Sequence, residues 1–294
     1  MTVYGSNSEY GRLTSVLLHR PGPEIGNYVD PAGIQQLEQI DHPALMREYD
    51  AIITSYRDLG IAVNLINPTP LSDDSWYRFN LMYCRDLFFM TPHGAILACM
   101  ANSTRSAETL YAARSLESLG IPLLHTVSGQ GRFEGADAIW LNERLVLVGI
   151  GARTNREGYE QLAGILQVLG VECIAVPSYQ TRTQHLLGTV QIVDRDLALV
   201  RHEITDQEVV RILEEHGVAV IGIPENREVL SREAMNVVTI APRTIVMTAG
   251  CPETRKLFVQ SGVEIAAEID LTQLMRGAGG LACATGITGR ERNI

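Results

Sequence analysis

The chain has few cysteines and none in a metal-binding or redox spacing. Its 294 residues hold five (Cys84, Cys99, Cys173, Cys251 and Cys283), with no CxxC pair. An odd, scattered count argues against a disulfide framework and for reduced thiols in a cytoplasm. The opening MTVYGSNSEYGRL lacks a basic segment followed by an apolar run, so no signal peptide is expected. No run of about 18 apolar residues occurs, so no membrane span is expected. Positive charge is also scarce: the net charge is −10, which argues against nucleic acid or an anionic membrane as partner. HExxH and a tight His/Asp cluster are missing, so no metal is expected. The glycines of GQGRFEG and GAGG do not make GxGxxG between a strand and a helix, so no dinucleotide cofactor is expected.

What is present is repetition. Five times a polar-faced helical run ends in glycine and a strand begins at once: RDLGIAVNLI, ESLGIPLLHTV, QVLGVECIAVP, EEHGVAVIGIP and VQSGVEIAAEI. The glycines are Gly60, Gly120, Gly170, Gly217 and Gly262. The residue after a helix commonly adopts a left-handed backbone that glycine tolerates best. Each helix is preceded by another strand, in SVLLHRPG, GAILACMANS, RLVLVGIGAR, DLALVRHEIT and TIVMTAGCPE. Thr205 with Glu208 reads as a capping box and Pro252 as a first-turn proline. In the first copy an insertion, residues 23 to 41, separates strand from helix, and its Pro, Gly and acids suit a lid. One such unit cannot bury its own faces, and a closed ring leaves no open edge. The expectation is one catalytic domain, residues 1 to 294, built as a five-bladed α/β ring around a central channel. An open doubly wound sheet is the alternative.

Several charged residues stand where charge is awkward. Arg105 in MANSTRSAETL and Arg153 in GIGARTNREG each sit near a helix start. A cation there is disfavoured by roughly 0.3 to 1 kcal/mol, so each should face an anion. That anion is either a ligand carboxylate or a nearby protein acid. Asp86 in FNLMYCRDLFFM and Glu134 in RFEGADAIWL lie among apolar neighbours and need partners, either arginines or a bound cation. Asp137 suits a structural turn beside Gly135. His185 in TQHLLGTVQIV opens an apolar strand, where a histidine is either a satisfied core residue or a functional one. Cys283 lies in GGLACATGITGR with little bulk around it, either as a small packed hydrophobe or as an accessible thiol.

Taken in order, these motifs resemble the guanidino-group-modifying enzymes: arginine deiminases, dimethylarginine dimethylaminohydrolases and amidinotransferases. NLMYCRD, from Asn80 to Asp86, is similar to the motif in which an asparagine precedes an Arg-Asp pair. Arg105 follows Asp86 by 19 residues, as a carboxylate-binding arginine does in that family. FEGAD resembles EGGD and keeps Glu134; GARTN supplies Arg153; HL at His185 matches a catalytic histidine; GGLAC puts Cys283 where the family keeps its nucleophile.

The resemblance implies a pentein fold, a pseudo-fivefold α/β propeller of ββαβ-type repeats. It also implies hydrolysis of the guanidino group of free L-arginine or an Nω-substituted arginine. Cys283 would attack the guanidinium carbon, His185 would move protons, and Asp86 and Glu134 would grip the cation. Glu134 would also orient His185. Asn80, Arg105 and Arg153 would hold the amino-acid end. The expected partner is a small cationic guanidino substrate, with no cofactor, and a homo-oligomer is allowed. The aspartate that deiminases and amidinotransferases carry two residues after the histidine is replaced by Leu187, as in the dimethylarginine hydrolases, whereas Asn80 follows the deiminases. Amidino transfer to an amine, or a non-catalytic cation-binding ring, are the alternatives.

Overall fold

The computed structural model describes residues 4–26, 30–69, 78–178 and 183–292. Its strands form five three-stranded sheets. Four are consecutive in the chain: β3 (Phe88–Thr91), β4 (Gly94–Leu97) and β5 (Leu123–Thr126); β6 (Ala138–Asn142), β7 (Leu145–Gly151) and β8 (Glu172–Ser178); β9 (Val190–Asp194), β10 (Leu197–Val200) and β11 (Ala219–Gly222); β12 (Val238–Ala241), β13 (Thr244–Thr248) and β14 (Glu264–Ile269). In each, a tight hairpin makes the first pair antiparallel and a helix returns the chain to a parallel third strand. The long crossover helices are α2 (Glu108–Ser118), α3 (Arg156–Val168), α4 (Gln207–Glu215) and α6 (Pro252–Gln260).

The fifth sheet joins the two ends of the chain. β1 (Leu13–Leu18), α1 (His42–Asp58) and β2 (Ala62–Leu65) supply the middle strand, the helix and the outer strand. The inner strand is β15 (Gly286–Arg290), antiparallel to β1, with Val16 opposite Ile287 and Leu17 opposite Gly286. Contacts of β15 with β3, of β3 with the turn before β6, of β6 with β9, of β9 with β12 and of β12 with β1 carry the sheets round in a closed ring. This is the expected five-bladed α/β propeller with ββαβ repeats. The sheets stay separate, and the ring leaves each only short edges, the inner ones packed around the axis.

Burial follows the radial order. β3 and β15 are buried throughout, whereas β2, β5 and β11 have no buried residue. The helices pack outside. Along α1 the buried residues are Leu45, Tyr49, Ile52, Ile53 and Tyr56, one stripe of a helix. Three shorter helices are α5 (Arg227–Ser231), α7 (Thr272–Arg276) and α8 (Leu281–Ala284). All five repeat glycines have positive φ, at 77°, 73°, 75°, 76° and 80°. A Cβ on Gly60, Gly120, Gly170 or Gly217 would meet nothing within 4 Å, so backbone conformation selects glycine there, not space.

One capping expectation is corrected. Asp206, not Thr205, caps α4: its carboxylate accepts from Glu208 N at 2.9 Å. The Thr205 hydroxyl instead donates to Arg201 O at 2.9 Å. A carboxylate one residue nearer the helix is the better partner for its amides. Pro252 opens α6 as expected. Of the insertion, residues 27–29 lie outside the described residues; 23–26 and 31–34 form single helical turns. Among the described residues no helix is long and apolar enough to cross a membrane.

Candidate active site

The ring brings the starts of its five inner strands together. Asp86 lies two residues before β3, Glu134 four before β6, and His185 five before β9. Glu233 and Asn236 precede β12, and Cys283 lies three before β15. Each blade thus delivers a polar side chain to the same end of the axis. Asp86, His185, Cys283, Asn80, Arg105, Glu233 and Asn236 line one cavity of about 280 Å³. Gln35 and Leu37 from the insertion stand at its wall.

Cys283 sits on α8, the single turn that enters β15. Its approach depends on the preceding glycines. A Cβ on Gly279 would lie 2.5 Å from Tyr83 Cε1, and one on Gly280 would lie 2.6 Å from Asn236 Cγ. Asn236 then holds the turn from the neighbouring blade. Its Oδ1 accepts from Ala282 N at 2.7 Å, and its Nδ2 donates to Cys283 Sγ at 3.1 Å. Burial first, then the charge of Asp86, push the thiol up to about 12, against hydrogen bonds from Asn236 and the Gly280 backbone.

His185 faces two carboxylates. Its Nε2 lies 2.7 Å from Glu134 Oε2, and its Nδ1 lies 3.9 Å from Asp86 Oδ1. Burial opposes the imidazolium, but Asp86, the Glu134 hydrogen bond and the charge of Asp137 outweigh it and raise the pKa. Glu134 is depressed despite complete burial, by the His185 hydrogen bond and the charges of His185, Arg105 and Arg153. Glu134 Oε1 also accepts from Ala101 N at 3.1 Å and lies 3.6 Å from Arg153 Nη1. With no exposed surface and absent from the cavity wall, Glu134 contacts His185 and not the space a ligand would fill. Asp137 has the structural role expected: it accepts from Thr154 Oγ1 at 2.7 Å and from Leu186 N at 3.0 Å.

The arginines differ. Arg105 is buried in the wall, with Nη1 2.7 Å from Asp86 Oδ2, Nε 2.8 Å from Glu108 Oε2 and Nη2 3.2 Å from Asn80 O. The anions facing it are protein acids. Arg153 lies outside the cavity wall, on Glu134 and on the Gln184 side-chain oxygen. Asn80 donates from Nδ2 to Ile34 O at 2.6 Å. Two buried acceptors, Asn80 Oδ1 and Asp86 Oδ1, have no hydrogen bond among the described residues. An unpaired buried carboxylate oxygen is costly and suits a ligand donor.

Asp86, Glu134 and His185 offer ligand atoms within 4.8 Å of one another, the one cluster among the described residues with metal-site spacing. The Arg105 guanidinium already lies 2.7 Å from Asp86 and 3.9 Å from Glu134. A divalent ion there would meet that cation and a protonated imidazole, so the donor set does not fit a metal.

Sequence reasoning missed Glu108, Glu233 and Asn236. For the last two a signal existed: REAMNVVTI runs into an inner strand as RDLFF, EGADAIW and HLLGTV do. The position in the repeat, not the residue type, marks them.

An arginine deiminase family model matches residues 78–216, which include Asn80, Asp86, Arg105, Glu134, Arg153 and His185. An arginine deiminase of Streptococcus pyogenes is 25% identical, over 94% of this chain and 95% of its own. Dimethylarginine dimethylaminohydrolase from Pseudomonas aeruginosa, a cysteine-to-serine mutant complexed with citrulline, superposes with a TM-score of 0.74 at 18% identity, covering 93% of this chain and 98% of its own. The amidinotransferase SxtG from Microseira wollei gives a TM-score of 0.77 at 17% identity, covering 98% and 97%.

The chain is thus similar, in sequence and in fold, to guanidino-group-modifying enzymes.

Beside His185, Leu187 lines the cavity. Cys283 lies beyond the matched span, but it lines the same cavity as Asp86 and His185.

Proposed function

We propose that the protein hydrolyses the guanidino group of free L-arginine or an Nω-substituted arginine through a covalent Cys283 thiouronium, releasing ammonia or an amine and a citrulline-type product. The observation that carries this reading is one cavity walled by Cys283, His185 and Asp86, with Asp86 Oδ1 free of any hydrogen bond among the described residues. The relatives' deiminase and dimethylaminohydrolase activities support it.

A guanidinium beside Asp86 offsets the negative charge that holds the Cys283 thiol high, and so favours the thiolate. At 4 Å and an effective dielectric of 20, one unit charge is worth about 4 kcal/mol before desolvation. The thiol proton passes to solvent as the cation binds, the thiolate attacks the central carbon and a C–S bond forms. His185, held as imidazolium by Asp86 and Glu134, donates a proton from Nδ1 to the departing nitrogen, and the C–N bond breaks. The neutral imidazole then takes a proton from water. That water adds to the carbon, the C–S bond breaks as the new hydroxyl gives its proton to the departing sulfur, and Cys283 is restored as a thiol when the ureido product leaves. Such proton transfers typically contribute about 10²- to 10⁴-fold.

Asn80, Arg105 and Arg153 receive the amino-acid end, which requires Arg105 and Arg153 to share their protein acceptors with the ligand carboxylate. The apolar face of Leu187 leaves room for an N-methyl substituent. Free cysteines and the lack of a membrane-spanning helix among the described residues fit a cytoplasmic enzyme.

The test is separate incubation with arginine, monomethylarginine and dimethylarginine, assaying ureido product and released amine. Product that forms only when an amine acceptor is added would move the reading to amidino transfer. Binding with no product in either case would leave a non-catalytic ring.

A further inference from the structure

The ring places an acid on each side of the sulfur. The blade of β15, which carries Cys283, lies between the blade of β3 and the blade of β12. From the first comes Asp86 and from the second Glu233, and both line the cavity. Glu233 is joined to the thiol through one residue: Asn236 Nδ2 lies 3.1 Å from Cys283 Sγ and 3.5 Å from Glu233 Oε2.

The charges sort into those already answered and those left over. Arg105 is answered by Glu108 at 2.8 Å and by one Asp86 oxygen at 2.7 Å. His185 is answered by Glu134 at 2.7 Å. Arg201, the cation that acts on Glu233, is committed to both oxygens of Glu225 at 2.7 Å. Among the described residues Glu233 has no ion pair. Facing the cavity, that leaves Asp86 Oδ1 and the Glu233 carboxylate. On the side of His185, where a third acid would complete the ring, stands Leu187. Glu233 also holds an uncommon backbone for a non-glycine residue, with φ 52°.

We propose that Glu233 is a second carboxylate for the substrate guanidinium, binding it from the side of Cys283 opposite Asp86. A flat cation with its central carbon over Sγ presents nitrogens outward in its own plane. Carboxylates on opposite sides can each accept from one edge, the arrangement in which such hydrogen bonds are strongest. Burial raises the Glu233 pKa, in keeping with a carboxylate that lacks its cation until a ligand arrives.

This assignment rests on the guanidino reading of the cavity, and one experiment separates the two. Cys283 is alkylated in turn with 2-chloroacetamidine, a cation, and with 2-chloroacetamide, its neutral isostere. In both cases a C–S bond forms, chloride leaves and the thiol proton passes to buffer. The ratio of the two rates at fixed pH cancels any change that a substitution makes in the thiolate population of the free protein. Wild type should favour the amidine. Glu233→Gln should lower the ratio by about tenfold or more, the scale of one charge-assisted hydrogen bond. Glu233→Asp should retain most of the ratio, and Glu233→Ala repeats the comparison if the Gln variant does not fold. A wild-type ratio near one would overturn the guanidinium reading of the cavity itself. A clear wild-type preference left intact in Glu233→Gln or Glu233→Ala would overturn the role of Glu233 alone.

Discussion

Replacing Glu134 with Gln tests how the site holds its proton. The imidazole of His185 stands at about 9 because Asp86, Glu134 and Asp137 outweigh its burial. Glu134→Gln keeps the shape and a hydrogen-bond acceptor but removes the charge 2.7 Å from Nε2. A hydrogen bond to a charged group is worth about 1.5–3 kcal/mol. At 1.36 kcal/mol per unit, its loss should lower the His185 pKa by about one to two units. The measurement is the histidine ring C–H shift against pH, with the basic limb of the turnover profile as a second readout.

Stability should follow the same linkage. The raised His185 pKa contributes stability fully present below the unfolded value of 6.5 and lost as pH rises through about 9. The depressed Glu134 pKa contributes stability present above 4.5 and lost as pH falls through its lower folded value. The gap in melting temperature between wild type and Glu134→Gln should therefore be widest between pH 4.5 and 6.5 and narrow on either side. A His185 titration that does not move in the variant would refute the assignment of Glu134 as its partner.

Other consequences are simpler to state. Cys283→Ser should fold normally, with a melting temperature close to that of wild type, and lose turnover by about 10³-fold or more; undiminished turnover would eliminate the nucleophile. Asn236→Ala removes the donor to Sγ and strands Ala282 N, so alkylation by a neutral reagent should slow and stability should fall by about 1–3 kcal/mol, measured by denaturant unfolding. Gly280→Ala puts a Cβ 2.6 Å from Asn236 Cγ, so turnover should drop more than stability; equal activity would mean that the turn does not position the thiol. Gly120→Ala, at φ 73° with open space around it, should cost about 1–2 kcal/mol in unfolding and leave kcat unchanged.

The repeat was legible because its signals are local. A glycine that ends a helix and an apolar run that starts a strand act within a few residues, and five copies at regular spacing imply a ring. The Thr205 expectation failed where two adjacent residues competed for one cap and the carboxylate of Asp206 won. Asp86, His185 and Cys283 could be named because their motifs resemble a known family's in order, and Gly279 and Gly280 from the bareness of their stretch. The partners could not. Arg105 meets Asp86, Asn80 and Glu108, and Asn236 meets Cys283 across 47 residues of chain. These pairings depend on how the inner strands converge when β15 closes against β1. Chain order carries the chemistry of each blade, but only the closed ring decides which charge faces another charge and which oxygen is left for a ligand.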